Sequence, residues 1–365
     1  MSPPRPAIEV RNLVKRYAKS NTNAVDGVSF DVAPGEIFGL LGPNGAGKTT
    51  TIGVLTTFIL ATEGTASIIG HDVAADLIEV KRRIAVVPQM SNLDRSLRVR
   101  EILTFHGAYH GMPHKEREAQ ADNLLNQLGL GERKNDKVAR YSGGMAQRLM
   151  IARALMHTPD VLFLDEPTNN LDPQSRLFLW ERIHEMNQRG LTILLTTHDM
   201  DEADKLCHRI AIMDHGKILV NDTPAELKKL IPGGSVLELR AFAPVEVSTE
   251  VGARLLAALR ALPGVTKVDE EKPETAAAAT ASAPKGGPPR GPWPGAGGPP
   301  MGAPAGPPPA EPGMLTYRVY SDAANSLIGA AAQAVVASGA EVRDVSVKHP
   351  SLEEVFIFLT GRHLR

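Results

Sequence analysis

The chain has 365 residues, 42% of them hydrophobic, enough to bury a sizeable core and fill about two domains. Its 40 basic and 41 acidic side chains leave a formal charge of −1, which supplies neither an overall basic bias toward nucleic acid nor a polybasic membrane tail. A single cysteine, Cys207, excludes a disulfide framework and a cysteine zinc site, and reads as a small core residue in a reducing cytoplasm.

The opening MSPPRPAIEV lacks the apolar centre of a secretory leader, and no run of about eighteen apolar residues is present to span a bilayer. Beta segments near IEVRNLVKRY and VDGVSFDV open a first domain assigned to residues 1–231. GEIFGLL, ending at Leu41, reads as a buried strand and TTTIGVLTTF as a helix. Between them, GPNGAGKTT places Gly42, Gly47, Lys48 and Thr49 in the spacing GxxxxGK(S/T). A glycine-rich turn running into a helix presents backbone N–H groups at the positive helix end, where phosphates bind. Nucleotide binding is therefore assigned to Gly42, Pro43, Asn44, Gly45, Ala46, Gly47, Lys48, Thr49 and Thr50, with Lys48 adding a point charge and Thr49 a hydroxyl for Mg2+.

The strand IAVVP leads to Gln89, and the polar stretches LRVREILTFHGAYHG and KEREAQADNLLNQLGL read as helices. SGGMAQRLMIARALMH begins another helix at Ser142, with Met145, Leu149, Ala152 and Leu155 near helical spacing. VLFLDEP is an apolar strand ending in a pair of carboxylates. In a parallel sheet the carboxyl ends of strands face the ligand crevice, so Asp165 is placed to hold Mg2+ and Glu166 to polarise water. Asp172, in NNLDP, suits a helix N-cap with Pro173 at the first helical position. TILLTTHD is a strand closed by His198, and RIAIMDHGKILVND a hairpin turning at His215 and Gly216. TPAEL starts a helix with Thr223 as N-cap and Glu226 completing a capping box.

From about Ser235 the rhythm changes. VLELRAF, ARLLAALRAL, VTKVDE, MLTYRVY, NSLIGAAAQAVVASG and EVRDVSV read as βαββαβ, a small α+β ferredoxin-like domain over residues 235–365, closed by the helix SLEEVFIFLTG with Ser351 and Glu354 as a capping box. The Pro/Gly-rich segment 273–313 interrupts it and has too little apolar surface to fold; it reads as a disordered linker, with Trp293 a possible docking anchor.

Taken in order, GPNGAGKTT, YSGGM, VLFLDEP and TILLTTHD resemble the nucleotide-binding subunits of ABC transporters, whose α/β P-loop NTPase domain carries a helical subdomain. The resemblance implies ATP and Mg2+ as cofactors and a homodimer that sandwiches ATP. Ser142, Gly143 and Gly144 would grip the γ-phosphate bound to the opposite subunit, with Asp172 beside them in trans. By the same resemblance Gln89 reaches Mg2+ and the attacking water, His198 contacts the γ-phosphate, and Tyr17, in VKRYAKS, stacks on adenine. The implied catalytic set is Glu166, His198, Gln89 and Lys48; the metal set is Thr49, Gln89 and Asp165. Tyr141 and Met145 stand where the family has Leu and Gln, and Met145 lacks the amide of that Gln. KTTTIGVLTTFILATEGTASIIGHDV and HPSLEEVFIFLTGR resemble the drug-resistance, daunorubicin-export branch. That branch implies export of a small drug-like or lipid-like molecule through a separate permease, with this chain on the cytoplasmic face of the cell membrane. The competing expectation is a soluble ABC ATPase of translation, repair or assembly; the chain shows one cassette, where the ribosomal types have two, and neither the zinc modules nor the long coiled coils that the repair types carry.

Overall fold

The computed structural model describes residues 5–18, 20–231, 235–271, 313–321, 324–348 and 351–361. They fall into two units, residues 1–230 with 352–365, and residues 231–351.

In the first unit β1 (Ile8–Lys15) and β2 (Val25–Val32) pair antiparallel, with Val28, Phe30 and Val32 buried at alternate positions. β3 (Ile37–Leu41) is followed by α1 (Lys48–Leu55), β4 (Glu63–Ile68) and β5 (His71–Asp72). α2 (Leu77–Arg83) leads into β6 (Ile84–Val87), and α3 (Val99–Tyr109), α4 (His114–Gln127) and α5 (Gly143–Ala154) make the helical region. β7 (Val161–Asp165), α6 (Pro173–Gln188), β8 (Thr192–Thr197) and α7 (Met200–Leu206) come next. β9 (Arg209–Asp214), β10 (Lys217–Asp222) and α8 (Pro224–Lys228) follow.

One sheet has the order β2-β1-β4-β5, the other β10-β9-β3-β8-β7-β6. The second is parallel from β9 to β6, and its β3, β7 and β8 are buried at every residue, as expected for strands covered on both faces. Only β10 runs antiparallel, joined to β9 by the expected hairpin, where His215 (φ 46) and Gly216 (φ 77) make a left-handed turn. The register sets Leu41 beside Thr197, Asp165 beside Thr196 and Val87 beside Leu164, so the strand ends leading to the loop at Gly42, to His198, to Glu166 and to Gln89 share one edge.

Three local expectations change. The helix expected to run to Phe58 stops at Leu55, because Thr57 adopts φ 63 and the N–H groups of Phe58 and Ile59 both return to the Gly53 carbonyl at 2.9 and 2.8 Å. On α5 the buried face is Gly144, Gln147, Met150, Ile151 and Ala154 together with Leu149 and Ala152, while Met145 and Leu155 are half-buried at its margin. Thr223 does cap α8 through the Glu226 N–H, but no capping box forms: the Thr223 N–H donates to Asp222 at 2.7 Å and the Glu226 carboxylate pairs with Lys229.

The second unit contains β11 (Ser235–Phe242), α9 (Ser248–Arg260), β12 (Val265–Glu271), β13 (Met314–Ser321), α10 (Ala324–Ala337) and β14 (Glu341–Lys348). Its antiparallel sheet has the order β12-β13-β11-β14, as a βαββαβ sandwich requires. Leu237 and Leu239 pack with Leu255, Leu259, Tyr317 and Val335, and the Tyr317 hydroxyl donates to the Gly252 carbonyl at 3.0 Å. Of the Pro/Gly-rich segment, residues 273–312, Trp293 included, lie outside the described residues. The domain expected to end at 365 ends earlier. α11 (Leu352–Thr360) packs on α7 and α8 and belongs to the first unit, because its buried Leu352, Val355, Phe356 and Ile357 find their apolar partner there. Among the described residues no helix is long and apolar enough to cross a membrane.

Cys207 is buried and free, and burial pushes its thiol well up from the usual range. A Cβ on Gly39 of β3 would lie 2.6 Å from its Sγ, so Gly39→Ala is expected to destabilise the first unit by about 1–3 kcal/mol. Thermal unfolding should show part of that loss recovered when Cys207→Ala removes the sulfur; additive losses would mean the crowding lies elsewhere.

Candidate functional site

The turn between β3 and α1 needs glycine for two separate reasons. Gly45 (φ 83) and Gly47 (φ 104) occupy the left-handed region, and a Cβ on Gly47 would sit 2.5 Å from the Ala24 carbonyl oxygen. Gly42 has no such φ but is boxed in, since a Cβ there would fall 2.3 Å from the Met213 carbonyl oxygen. The turn therefore bends tightly against β2 and β9 and enters α1 at Lys48, whose Nζ donates to the carbonyls of Gly42 (2.6 Å) and Pro43 (3.1 Å). Burial lowers the Lys48 pKa, opposed by the negative charge of Glu166, whose Oε1 lies 3.5 Å from Nζ. Residues 43–50, Ala24, Gln89 and Glu166 enclose a cavity of about 260 Å³. A wider depression of about 450 Å³ near Gln120, Thr158 and Arg189 has no such glycine-rich turn.

Asp165, the last residue of β7, accepts hydrogen bonds at Oδ1 from the hydroxyls of Thr196 (2.5 Å) and Thr49 (3.3 Å). Burial raises its pKa, and the two hydroxyl donors pull it back down. Thr49 and Asp165 thus bring a hydroxyl and a carboxylate together at the mouth of the loop, hard oxygen donors of the kind Mg2+ takes, with the Gln89 amide nearby. The donor set fits that ion.

Glu166 is the hub. Its backbone has φ 48, unusual for a residue with a Cβ, and its N–H donates to both the carbonyl and the hydroxyl of Thr196 at 3.1 Å. Oε2 accepts from Gln89 Nε2 (2.8 Å) and Asn169 Nδ2 (3.2 Å), while Oε1 faces Lys48 and His198 Nδ1, the latter at 3.3 Å. Side chains from β6's end, α1, β8's end and the segment after β7 therefore converge on one carboxylate. Such a constellation has the chemistry to receive an anionic group, an oxygen-ligated cation and a water within one hydrogen-bonded frame.

Lys48, Thr49, Gln89, Asp165, Glu166 and His198 are thus brought together. Tyr17 stands beside Thr50, one of the lining residues: its hydroxyl is 3.3 Å from Thr50 Oγ1, Lys15 Nζ lies 5.3 Å from its ring centroid, and the residue is 44% exposed. Ser142, Gly143, Gly144 and Asp172 are not among the residues lining the cavity. They form a second locus, where Ser142 caps α5 by accepting the Met145 N–H (3.3 Å) and Asp172 caps α6 by accepting the Ser175 N–H (2.9 Å). A Cβ on Gly144 would meet Ser175 Oγ at 2.6 Å, so these two helix starts abut only because position 144 is glycine. Sequence reasoning missed Thr196 and Asn169. Thr196 was detectable only through the register that sets it beside Asp165, whereas Asn169, three residues past Glu166, lies within plain local reach.

Comparison with known proteins gives a consistent picture. The family pattern described as ABC transporter matches residues 25–169. Nod factor export ATP-binding protein I of Paraburkholderia xenovorans (strain LB400) is 43% identical over 248 residues, covering 68% of this chain and 81% of that protein. The daunorubicin/doxorubicin resistance ATP-binding protein of Streptomyces peucetius is 44% identical over 237 residues, covering 65% of this chain and 71% of that protein. Among solved structures, a dimeric ATP-binding cassette in a post-hydrolysis state bound to ADP and Pi is similar with a TM-score of 0.55 and 26% identity, over 59% of this chain and 98% of that one.

Thr196 links Asp165 to the Glu166 backbone, so Thr196→Val should cost about 1–3 kcal/mol of stability by removing the closer of the two hydroxyl donors to the buried Asp165 carboxylate, while Thr196→Ser keeps the hydroxyl and stays near wild type. Thermal or urea unfolding distinguishes the two; equal losses would assign the effect to packing of the methyl.

Proposed function

The chain belongs to the ATP-binding subunits of ABC transporters, and on that premise we propose how its residues bind and hydrolyse ATP and what the reaction drives. The observation that carries the reading is the Glu166 carboxylate, held by Gln89, Lys48 and His198 at the lip of the glycine-rich turn.

The N–H groups of the turn from Gly42 to Thr50 wrap the phosphates at the start of α1, Lys48 exchanges its loop carbonyls for phosphate oxygens, and Tyr17 stacks on adenine. Thr49, Asp165 and Gln89 would hold Mg2+, which when bound offsets the charge of the phosphates. Glu166 orients the attacking water and receives its proton while the new P–O bond forms and ADP leaves; His198 and Gln89 keep the carboxylate and the γ-phosphate in line. This is catalysis by positioning and electrostatics. Because the locus of Ser142, Gly143, Gly144 and Asp172 stands apart from its own cavity, we assign it to the ATP held by a second copy, so that two protomers enclose two nucleotides. Met145 leaves the N–H and hydroxyl contacts of this locus unchanged but offers no side-chain amide to the nucleotide.

The two relatives described above are, by their names, an export protein and a drug-resistance protein. We extend this to the chain: it energises export of a small drug-like or lipid-like molecule through a separate membrane permease, from the cytoplasmic face of the membrane. The same relatives favour transport over a role in translation, repair or assembly.

Glu166→Gln should bind ATP, lose about 100- to 1000-fold in turnover and accumulate as a dimer, read by phosphate release and light scattering. Near-normal turnover would remove Glu166 from its role. Lys48→Ala and Gly143→Asp should each be inactive alone and regain turnover when mixed, since one composite site in the mixed dimer is intact. Failure of the mixture to recover would overturn assembly in trans without touching the assignment of Glu166.

A further inference from the structure

Away from the nucleotide, three imidazoles meet where α3, the residues after α5 and the start of β6 come together. His106 lies on α3 and His110 caps its C-terminal end one turn on, so the two share a face. The His110 and His157 rings stack with centroids 3.9 Å apart, and the His106 centroid lies 4.7 Å from that of His110 and 5.9 Å from that of His157. One nitrogen from each ring lies within 4.8 Å of the other two.

The tautomer of His157 is set by its neighbour. Nε2 lies 2.9 Å from the Ile84 carbonyl, which can only accept, so Nε2 carries the proton and Nδ1 presents a lone pair. That Nδ1 is buried and has no hydrogen-bond partner among the described residues. A buried acceptor without a partner is costly, and imidazoles that ligate metals characteristically donate their second nitrogen to a backbone carbonyl.

We propose that His106, His110 and His157 form a site for one first-row divalent cation of the Zn2+ class, the chemistry that imidazole nitrogen prefers. Three nitrogens at about 2.0–2.1 Å from a tetrahedral ion are about 3.4 Å apart, with water in the fourth position. Occupancy therefore draws the rings roughly an ångström inward and turns His110 out of its stack, which side-chain rotation alone supplies because all three residues are only half-buried. Burial first, then His110, Arg153 and His157, holds His106 down to about 4, and burial likewise lowers His110 and His157, so the rings are neutral at neutral pH and free to ligate. Arg153 is the adverse charge, and its NH2 is drawn to Asn92 Oδ1 at 2.6 Å. A bound ion would tie the end of α3 to His157 after α5 and, through the His157–Ile84 hydrogen bond, to the start of β6, the strand that ends just before Gln89.

The test uses the full chain, stripped with chelator and free of nucleotide, titrated with Zn2+ against a chromophoric chelator. Expected is one Zn2+ per chain, a rise in thermal midpoint on addition of Zn2+ and, with Co2+ substituted, visible d–d absorption of a low-coordinate nitrogen site. The double variant His106→Ala/His110→Ala should weaken binding about tenfold or more and abolish the thermal shift while keeping the metal-free midpoint. Since both changes fall on half-buried positions, one on α3 and one at its C-cap, and leave His157 on Ile84, folding is retained. Equal Zn2+ binding by the double variant, or no binding by the wild type, would overturn the site.

Discussion

Glu166 and Lys48 hold opposite charges where their side chains are only 7% and 4% exposed, and everything around them answers to that fact. Buried ions persist only when paired and hydrogen-bonded. Lys48 is satisfied by Glu166 and two loop carbonyls; Glu166 is satisfied by Lys48, Gln89 and Asn169, with His198 alongside. These donors sit on separate segments, so the pair is stable only while the parallel strands hold their register. A one-residue slip of β7 against β8 would part Asp165 from Thr196 and turn the strand's buried side chains to the opposite face.

Local strain is part of the same arrangement. The left-handed backbone at Glu166 breaks the alternation of β7 and turns the carboxylate toward the loop instead of back along the strand, and the two bonds from its N–H to Thr196 over-determine that conformation. The glycine-rich turn does the complementary job with residues that adopt φ > 0 at no steric cost. What the cavity lacks is a second wall. The abutting starts of α5 and α6 form a separate locus on the same protomer, outside the residues that line its own cavity. The proposed pairing of two copies rests on this separation of the two loci.

Chain order and spatial order part company at the end of the molecule. The βαββαβ unit has a hydrophobic core of its own and is entered and left by the chain between α8 and α11, so it is an insertion into the first unit rather than an appendage. Its four strands pair almost without interruption, and the long Pro/Gly-rich segment falls between β12 and β13, which are nevertheless adjacent in the sheet.

The residues that converge on Glu166 were legible in the sequence because they fall in short, local patterns. Gly42 to Thr50, Asp165 with Glu166, and the caps at Ser142, Asp172 and Thr223 each need only a few neighbours to be recognised. The βαββαβ order was legible for the same reason, since period and turn residues are local. What remained hidden was everything decided by which element lies beside which. Thr196 bonds Asp165 only through strand register, α1 ends early through a wrap onto Gly53, the Thr223 N–H is claimed by Asp222, and α11 crosses to the first unit because its apolar face fits α7 and α8. Motif spacing by itself singled out the side chains that meet around Glu166; long-range packing, which no stretch of a few residues encodes, decided how those groups are held and where the domains end.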